Sequence, residues 1–468
     1  MQPILILQMQ RMGDLVLTFP LMLWLTRRHP GTPLWVVGEK AFFETLYKVG
    51  PEATYFPWEA ADRLARESFS LVVNLSIRDE AARLAGRVRS EAVLGPVVEA
   101  GGSRRVHGDW QLYRASLVNA NRHNRYHWAE LNALDAVPAG DIAATRWPQP
   151  RRLTASSRSV GVFLGASEAA KRPDTAFYEA LCRELTAREL VPVLLGGPAE
   201  AEEGAALARR LGRPVLSMAG RLKLNELALA GQTMGLLVTP DTGPMHLAAW
   251  TGQHVLNLSM GPVNPWETGP YQPGHAVLQA AASCAGCWSC ARPSPRCRET
   301  FSPARVAALA RELIRGGPER AARLRLPGQA LLTSGRELHG LYSLATPEGF
   351  GSGARERLGL FWHAFFGTRF GALPPGAARD SWQELRAARP ELAAAMQKAL
   401  PSLARPLGRS LSGGLAAPLP AGFWRALPPA LRPLGSWLEV YLANADYAPP
   451  ARVAAVRALE EVSALLTT

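Results

Sequence analysis

Short apolar runs alternate with amphipathic segments along the first two thirds of the chain, and this pattern predicts strands that alternate with helices. In the N-terminal half it predicts buried strands at Ile4–Gln8 and Leu71–Ser76 and a helix at Leu15–Arg28. A second series of the same kind begins at Ser159 and contains the apolar segments VFLG, VPVLLGG, GLLVTP and HVLNLS. Such alternation is typical of α/β proteins with parallel sheets and helices on both faces.

Changes in composition divide the chain into three parts. The segment WPQPRRLTASSRS contains two prolines and few apolar residues, which predicts a linker between two Rossmann-like domains, at 1–150 and 151–330. From residue 331 to 468, alanine, leucine, proline and arginine dominate, and we expect a helical accessory region without strands. Ligands of parallel sheets bind at the carboxyl ends of the strands, so the two Rossmann-like halves predict a cleft between domains.

Charge and hydropathy narrow the classes of partner. The net charge is +13, but Lys and Arg are scattered and aromatic residues do not interleave with them, which disfavours nucleic acid. Nucleotide pyrophosphates and anionic lipids remain compatible with this charge. No uncharged apolar run reaches the roughly 18 residues that a membrane span requires. The first apolar run, Ile4–Leu7, lacks the flanks of a signal peptide, so we expect a cytoplasmic protein.

Several common catalytic motifs are missing from the sequence. No G-x-G-x-x-G follows a predicted strand, and neither G-x-x-x-x-G-K-[ST] nor G-x-S-x-G occurs. The sequence therefore does not favour a nicotinamide-dependent enzyme, a P-loop nucleotidase or a hydrolase with a serine nucleophile elbow.

The segment TPDTGPMHLAAWTG predicts a strand, a turn and a helix that begins near Met245. Free backbone N–H groups at a helix start attract phosphate, and Thr242 and Gly243 would donate to it. The alternative is a capped helix in which Asp241 or Thr242 is only the N-cap residue.

Two further loops follow predicted strands. In GASEAAKRPD, Lys171 and Arg172 precede a helix, where a cation would neutralise a leaving phosphate, or the two form an ordinary surface pair. In GGPAEAEEG, Glu200 either holds a ribose diol or supports a helix N-terminus.

A carboxylate also stands where the first strand meets its helix, in RMGDLVLTFP. Asp14 either caps that helix or acts as a general base on a substrate. From the residues alone, both interpretations remain open.

Taken together, these segments resemble a known family. RMGDLVLTFP, GASEAAKRPDTAFYEAL, LLGGPAEAE, DTGPMHLAA and GPVNPWETGPY agree in order and spacing with the bacterial heptosyltransferases of glycosyltransferase family 9. The resemblance covers about residues 1 to 316 and implies a GT-B fold, two Rossmann-like domains that face a cleft. It implies that Asp14 is the catalytic base, with donor contacts assigned by the motifs to Lys171, Glu200, Asp241, Thr242, Gly243 and His246.

The same resemblance implies a function. The expected reaction is metal-independent, inverting transfer of a heptose from ADP-heptose onto a lipopolysaccharide core or related glycan, at the cytoplasmic face of the inner membrane. Met245 and Pro244 depart from the family's usual residues, which leaves the donor's fine specificity open. Two alternatives are a sugar-nucleotide epimerase or hydrolase of the same architecture and a non-catalytic sugar-nucleotide-binding subunit.

Four of the five cysteines form a cluster with the spacing C-x₂-C-x₂-C-x₆-C. In an intracellular protein such a cluster is more typical of a metal site than of disulfides. Structural zinc is the first expectation for Cys284, Cys287, Cys290 and Cys297, because four thiolates close a tetrahedral site. An iron–sulfur cluster and four free or redox-active thiols are the alternatives.

Overall fold

The structure is a computed structural model, and it describes residues 2–151, 158–287, 290, 292–293, 295–345, 353–412 and 419–467. Residues 152–157 of the predicted linker therefore lie outside the described residues.

The N-terminal half is built on a six-stranded sheet in the order β3-β2-β1-β5-β7-β8. All neighbouring strands are parallel except the antiparallel pair β7–β8. Its strands are β1 (Ile4–Gln8), β2 (Leu34–Gly38), β3 (Thr54–Phe56), β5 (Leu71–Asn74), β7 (Val93–Val98) and β8 (Arg104–His107), and a separate two-stranded pair is formed by β4 (Ser68–Phe69) and β6 (Arg89–Ser90). The helices of this half are α1 (Met12–Val16), α2 (Phe19–Arg28), α3 (Lys40–Leu46), α4 (Ala61–Leu64), α5 (Asp79–Arg87), α6 (Asp109–Ser116), α7 (Trp128–Leu131) and α8 (Ala139–Ala143), with 3-10 turns at Trp58–Ala60 and Asn121–His123.

The helix predicted at Leu15–Arg28 is in fact two helices. The first, α1, begins earlier, at Met12, and α2 starts at Phe19. Pro20 explains the break, because it has no N–H to donate to Val16 and fits only in the first turn of a new helix. Asp14 consequently lies inside α1 rather than before the helix.

The second half is built on an eight-stranded sheet in the order β11-β10-β9-β12-β13-β14-β15-β16. Its strands are β9 (Ser159–Phe163), β10 (Val191–Leu195), β11 (Leu216–Ser217), β12 (Leu236–Pro240), β13 (Val255–Ser259), β14 (Ala276–Ala280), β15 (Gln329–Arg336) and β16 (Tyr342–Ala345). Its helices are α9 (Thr175–Thr186), α10 (Ala201–Leu211), α11 (Leu224–Gly231), α12 (Gly243–Trp250), α13 (Pro265–Thr268), α14 (Arg296–Glu299) and α15 (Pro303–Ala321), with 3-10 turns at Ala169–Lys171 and Pro198–Glu200.

The expectation that strands end before residue 331 is wrong. β15 pairs antiparallel with β14, and β16 pairs antiparallel with β15, so the sheet continues across the predicted boundary at residue 330. β15 buries Ala330, Leu331 and Leu332 and covers the open edge of β14. This short apolar run is hard to recognise beside the alanine- and leucine-rich segments that follow it.

The accessory helices begin at residue 354 and pack on the N-terminal half. They are α16 (Ala354–Arg369), α17 (Ala377–Ala388), α18 (Pro390–Ser412), α19 (Ala421–Ala426), α20 (Arg432–Asn444) and α21 (Pro449–Thr467). Trp362, Phe366 and Trp437 are buried in the same hydrophobic core as Trp110 and Tyr126 of the first half. Among the described residues, no helix is long and apolar enough to cross a membrane.

Polar contacts fix these helices at the edge of the first sheet. The Asn444 side chain accepts a hydrogen bond from Val106 N at 2.7 Å and donates one to Val106 O at 3.1 Å. It therefore completes the edge strand β8 as a further strand would. The Tyr126 hydroxyl also donates to His363 O at 2.6 Å.

Candidate active site

The two halves meet where the loop after β1 faces the turn after β12. A Cβ atom added at Gly13 would lie 3.2 Å from Gly243 Cα, and one added at Gly243 would lie 3.0 Å from Gly13 N. Glycine at both positions permits this close approach of the two backbones. The contact brings the two loops that the sequence singles out into one cleft.

Asp14 occupies the third position of α1 on the first side of the cleft. Its Oδ2 accepts a hydrogen bond from Arg11 N at 3.2 Å, as in a capping box. Burial raises the pKa of Asp14, while the charges of Arg114, Arg11 and Lys171 partly oppose that rise. The capping interpretation is therefore seen directly, and the carboxylate also lies in the electrostatic field of the cleft.

Arg114 is a buried cation beside Asp14 that the sequence analysis does not identify. It donates to Leu75 O at 2.9 Å and to Gln111 Oε1 at 3.1 Å. Its guanidinium also stacks 4.5 Å from the Trp128 ring centre. Burial lowers the pKa of Arg114 to about 10, so it remains a cation at neutral pH. A single arginine in a helix such as α6 carries no sequence signal of this position.

Lys171 and Arg172 have different roles, although they are adjacent. Lys171 Nζ lies 3.0 Å from Glu168 Oε1 with its side chain 19% exposed, and its charge lowers the pKa of both Asp14 and Asp241. Arg172 instead donates to Leu164 O at 2.8 Å and to Glu203 Oε2 at 3.0 Å, within the second half. The charge of Lys171 therefore acts on the carboxylates of the cleft, whereas Arg172 is held within the second half, and the phosphate contact of Lys171 remains a prediction.

The turn after β12 has no side-chain cap on the helix that follows. Thr242 is the N-cap residue of α12, and no side chain hydrogen bond caps it. Its hydroxyl lies 3.3 Å from the Thr239 hydroxyl. The simple capped-helix interpretation is therefore not observed, and the N-terminal end of α12 is left as an anion-attracting feature.

Asp241 is the first residue of this turn, and His246 lies near it in the first half of α12. Asp241 Oδ2 accepts a hydrogen bond from the Thr268 hydroxyl at 2.6 Å, and Asp241 Oδ1 lies 3.8 Å from His246 Nε2. Burial raises the pKa of Asp241 to about 6 and lowers that of His246 to about 3. His246 is thus a neutral ring at physiological pH, and it supports the turn without adding charge.

Glu200 ends the 3-10 turn in the loop after β10, next to the loop after β9. Its Oε2 accepts a hydrogen bond from Gly197 N at 2.8 Å, which is the helix-supporting contact that the sequence offered as one alternative. A Cβ atom at Gly165 would lie 2.9 Å from the Glu200 carboxyl carbon, so this carboxylate also borders the loop that leads to Lys171. The ribose contact remains a prediction.

A second set of buried polar residues joins the halves behind the cleft. Glu267 accepts hydrogen bonds from Asn121 Nδ2 at 3.0 Å and Asn124 Nδ2 at 3.3 Å. Asn264 Nδ2 donates to Asn121 O at 3.0 Å and Asn124 O at 3.2 Å. Burial raises the pKa of Glu267 to about 7. The residues in each of these contacts are more than a hundred positions apart in the sequence, so no local motif predicts them.

Glu130 forms another buried link between the halves. It accepts from Tyr342 N at 2.6 Å and from the Tyr271 hydroxyl at 3.1 Å, and Arg336 lies 3.9 Å away. The side chain is fully buried, and burial raises the pKa of Glu130 to about 7 despite the attraction of Arg336.

Replacement of Glu130 by glutamine should therefore change how thermal stability depends on pH. The folded chain binds the Glu130 proton up to about pH 7, whereas the unfolded chain releases it near 4.5. The contribution of Glu130 to the free energy of unfolding is complete below about pH 4.5 and is lost as the pH rises through about 7. Because glutamine keeps an acceptor oxygen but cannot ionise, we expect its melting temperature to fall less steeply than that of wild type between about pH 5 and 8. Parallel curves would contradict this assignment.

The four clustered cysteines are free thiols near the donor side of the cleft. Cys284 and Cys290 are exposed, Cys287 is half-buried and Cys297 is buried. Cys297 Sγ accepts from Gly261 N at 3.1 Å, and a Cβ atom at Gly261 would lie 3.2 Å from Lys171 Cα. Burial raises the pKa of Cys287 and Cys297, and the neighbouring thiols raise it further.

These thiols suit a soft metal ion in chemistry and in number. Within the described residues, however, no group of three or more histidine, cysteine, aspartate or glutamate side chains is arranged to hold a metal ion. The metal site therefore remains a prediction from the spacing.

Comparison with known proteins supports the assignment made from the motifs. Residues 124–295 match the model of the family described as glycosyltransferase family 9 (heptosyltransferase). No curated protein matches the chain. The resemblance predicted from the motifs is confirmed over these residues.

Solved structures of bacterial glycosyltransferases are similar to this chain. ADP-heptose lps heptosyltransferase II of E. coli has 18% identity and a TM-score of 0.50, and the match covers 65% of this chain and 96% of that one. A family 9 glycosyl transferase from Veillonella parvula has 18% identity and a TM-score of 0.45, with 58% and 85% covered. The iron-containing dodecameric glycosyltransferase TibC from enterotoxigenic E. coli has 14% identity and a TM-score of 0.38, with 69% and 76% covered. The first of these similarities confirms the predicted GT-B fold.

Proposed function

We propose that this chain, part of which matches the glycosyltransferase family 9 model, transfers heptose from ADP-heptose to a lipopolysaccharide core or a related glycan, with inversion at the anomeric carbon. The observation that carries the proposal is the meeting of Asp14, Lys171 and the start of α12 in one cleft. The Gly13–Gly243 approach brings the base side and the phosphate side together there.

The proposed chemistry assigns one role to each side of the cleft. Asp14 takes the proton from an acceptor hydroxyl as its oxygen forms a bond to the anomeric carbon. The bond from that carbon to the donor phosphate breaks on the opposite face, which inverts the centre and releases ADP. Lys171 and the N-terminal end of α12 stabilise the charge that develops on the leaving diphosphate.

The remaining donor contacts are those that the family resemblance implies. Asp241 and Thr242 border the phosphate and sugar positions, with His246 as a neutral support. Glu200, whose Oε2 already accepts from Gly197 N, is assigned to the ribose through its other oxygen. The acceptor would lie on the Asp14 side, and the protein would work in the cytoplasm or on the inner membrane surface, without nucleic acid.

Acceptor dependence of ADP release tests the proposal. ADP-heptose and a lipopolysaccharide core acceptor should together give ADP and a core extended by one heptose, whereas the donor alone should give little ADP. Release of ADP, or a rearranged sugar nucleotide, without acceptor would favour the epimerase or hydrolase instead. Binding of ADP-heptose without any turnover would favour the non-catalytic subunit.

No metal ion has a role in the proposed transfer step. Zinc, if bound by the four cysteines, would fix the loop that packs against Gly261 and, through it, the backbone at Lys171. Added Mg²⁺ or EDTA should therefore not switch transfer on or off directly.

Protein purified without added metal should contain about one zinc per chain, as expected for a closed four-thiolate site. Replacement of Cys287 by serine should remove that zinc and lower the melting temperature, because the metal stabilises only the folded loop. Cys182→Ser is the matched control, since Cys182 is a buried cysteine outside the cluster. It should keep its zinc even if it loses stability. Iron together with sulfide would indicate an iron–sulfur cluster, and a metal-free protein with four titratable cluster thiols would contradict the metal site.

A further inference from the structure

The accessory helices border an open cavity of about 750 Å³ that is separate from the cleft. It lies between α16, α17, α20 and α21, and of the described residues outside the accessory region only Asp109, at the start of α6, contributes to its wall. A volume of this size is typical of sites for small organic ligands. The cavity has no part in the proposed transfer reaction.

One wall of the cavity is aromatic. Trp437 lies at its base, with ring centres 5.9 Å from Phe370 and 5.0 Å from Tyr441. Phe370 and Tyr441 are only half-buried, so their rings are accessible from the cavity. Such a surface favours an apolar group that can leave water.

The cavity is also lined by more arginines than acidic residues. Arg369 stacks 5.0 Å from the Trp437 ring centre and forms an ion pair with Glu461, so that acid is already neutralised. Arg379 and Arg457 also line the cavity, and both are exposed. Among the described residues neither of these two guanidinium groups has an ion-pair partner. Asp109 supplies a single further carboxylate at the wall.

We propose that this cavity binds an anionic amphiphile, whose phosphate or carboxylate head contacts Arg379 and Arg457 and whose alkyl body packs on Phe370 and Tyr441. Guanidinium groups bind the oxygens of such heads through paired hydrogen bonds. Burial of the alkyl body against the adjoining aromatic wall adds binding free energy, which a small inorganic anion cannot gain. The head group belongs either to a membrane lipid or to a soluble molecule of the same chemistry.

Decyl phosphate, used below its micelle-forming concentration, is the probe that tests this site. Calorimetric titration of the full chain should show binding at least about tenfold tighter than that of decanol or inorganic phosphate, because each comparator lacks one of the two contacts. The double variant Arg379→Gln/Arg457→Gln should bind decyl phosphate at least about tenfold more weakly, since charge-assisted hydrogen bonds are lost.

Arg405→Gln/Arg409→Gln is the matched control, because these exposed arginines lie on α18 outside the cavity and the change in net charge is the same. It should bind as wild type does. Equal affinity of wild type and the Arg379/Arg457 variant would overturn the proposal, as would equal affinity for decyl phosphate and either comparator. All three arms measure binding alone, so their outcome is independent of whether the chain transfers a sugar.

Vesicles then distinguish the two sources of the head group. Binding to phosphatidylcholine vesicles that depends on added phosphatidic acid, and that falls in the Arg379/Arg457 variant but not in the control, supports a lipid headgroup. Binding of decyl phosphate without such vesicle binding supports a soluble ligand in the same cavity.

Discussion

Replacement of Asp14 by asparagine is expected to leave the chain folded and able to bind ADP while turnover falls about 10²–10⁴-fold, the usual contribution of a positioned general base. Asparagine keeps an oxygen that accepts from Arg11 N, so the capping contact at the start of α1 survives. What it loses is the ability to take a proton from the acceptor hydroxyl. The experiment compares turnover at saturating donor and acceptor, ADP affinity by calorimetry and the melting temperature.

Glu226 offers a matched control for this substitution. It occupies the same third position in α11 and accepts from Lys223 N at 2.7 Å, in the same capping geometry but with an exposed side chain. Glu226→Gln should leave turnover unchanged. If Asp14→Asn also retained near wild-type turnover, Asp14 would be only a capping residue, and the proposed mechanism would lose its base.

Replacement of Lys171 by alanine is expected to weaken ADP binding about 10- to 100-fold and to slow turnover as well. Hydrogen bonds to charged groups contribute about 1.5–3 kcal/mol, and about 1.4 kcal/mol corresponds to tenfold in affinity. Slower turnover follows if the same cation stabilises the leaving diphosphate in the transition state. Calorimetry with ADP and steady-state kinetics with the full donor measure the two effects separately.

The pH profile gives a second readout for Lys171. Its charge lowers the pKa of Asp14 and Asp241, so its removal should move the acid limb of the activity profile to higher pH. Lys223→Ala is the control, since Lys223 is exposed in the same half of the chain. Equal ADP affinity of wild type and Lys171→Ala would exclude Lys171 from the phosphate site.

The sequence by itself indicated two parallel α/β sheets and the positions of the main loops, but not the antiparallel strands β15 and β16. Apolar strands such as Ile4–Gln8 and Leu236–Pro240 are fully buried, and unbroken apolar runs of this length are typical of strands covered on both faces. Asp241 directly follows β12 and Lys171 lies in the loop after β9, so their place at the carboxyl edge of a sheet was predictable. The spacing of the four cysteines likewise identified them as one cluster.

Predictions from local sequence patterns were wrong at two places. The strand β15 was missed because its apolar core is three residues long and depends on pairing with β14. Asp14 was placed before its helix, whereas the effect of Pro20 divides that region into α1 and α2. Periodicity can be recognised within a short window of sequence, but pairing between distant strands cannot.

Only the tertiary structure decided which polar groups face one another. The pKa of Asp14 responds to Arg114, and Glu130 is bound by Tyr342 across 212 residues of chain. The role of Lys171 became distinct from that of Arg172 only when their partners were known. Burial and distant charge set these properties, and both depend on how the two halves and the accessory helices pack together. Periodicity and motif spacing are local, so the sequence determines the elements and the loops, while the fold determines the electrostatic environment in which those loops act.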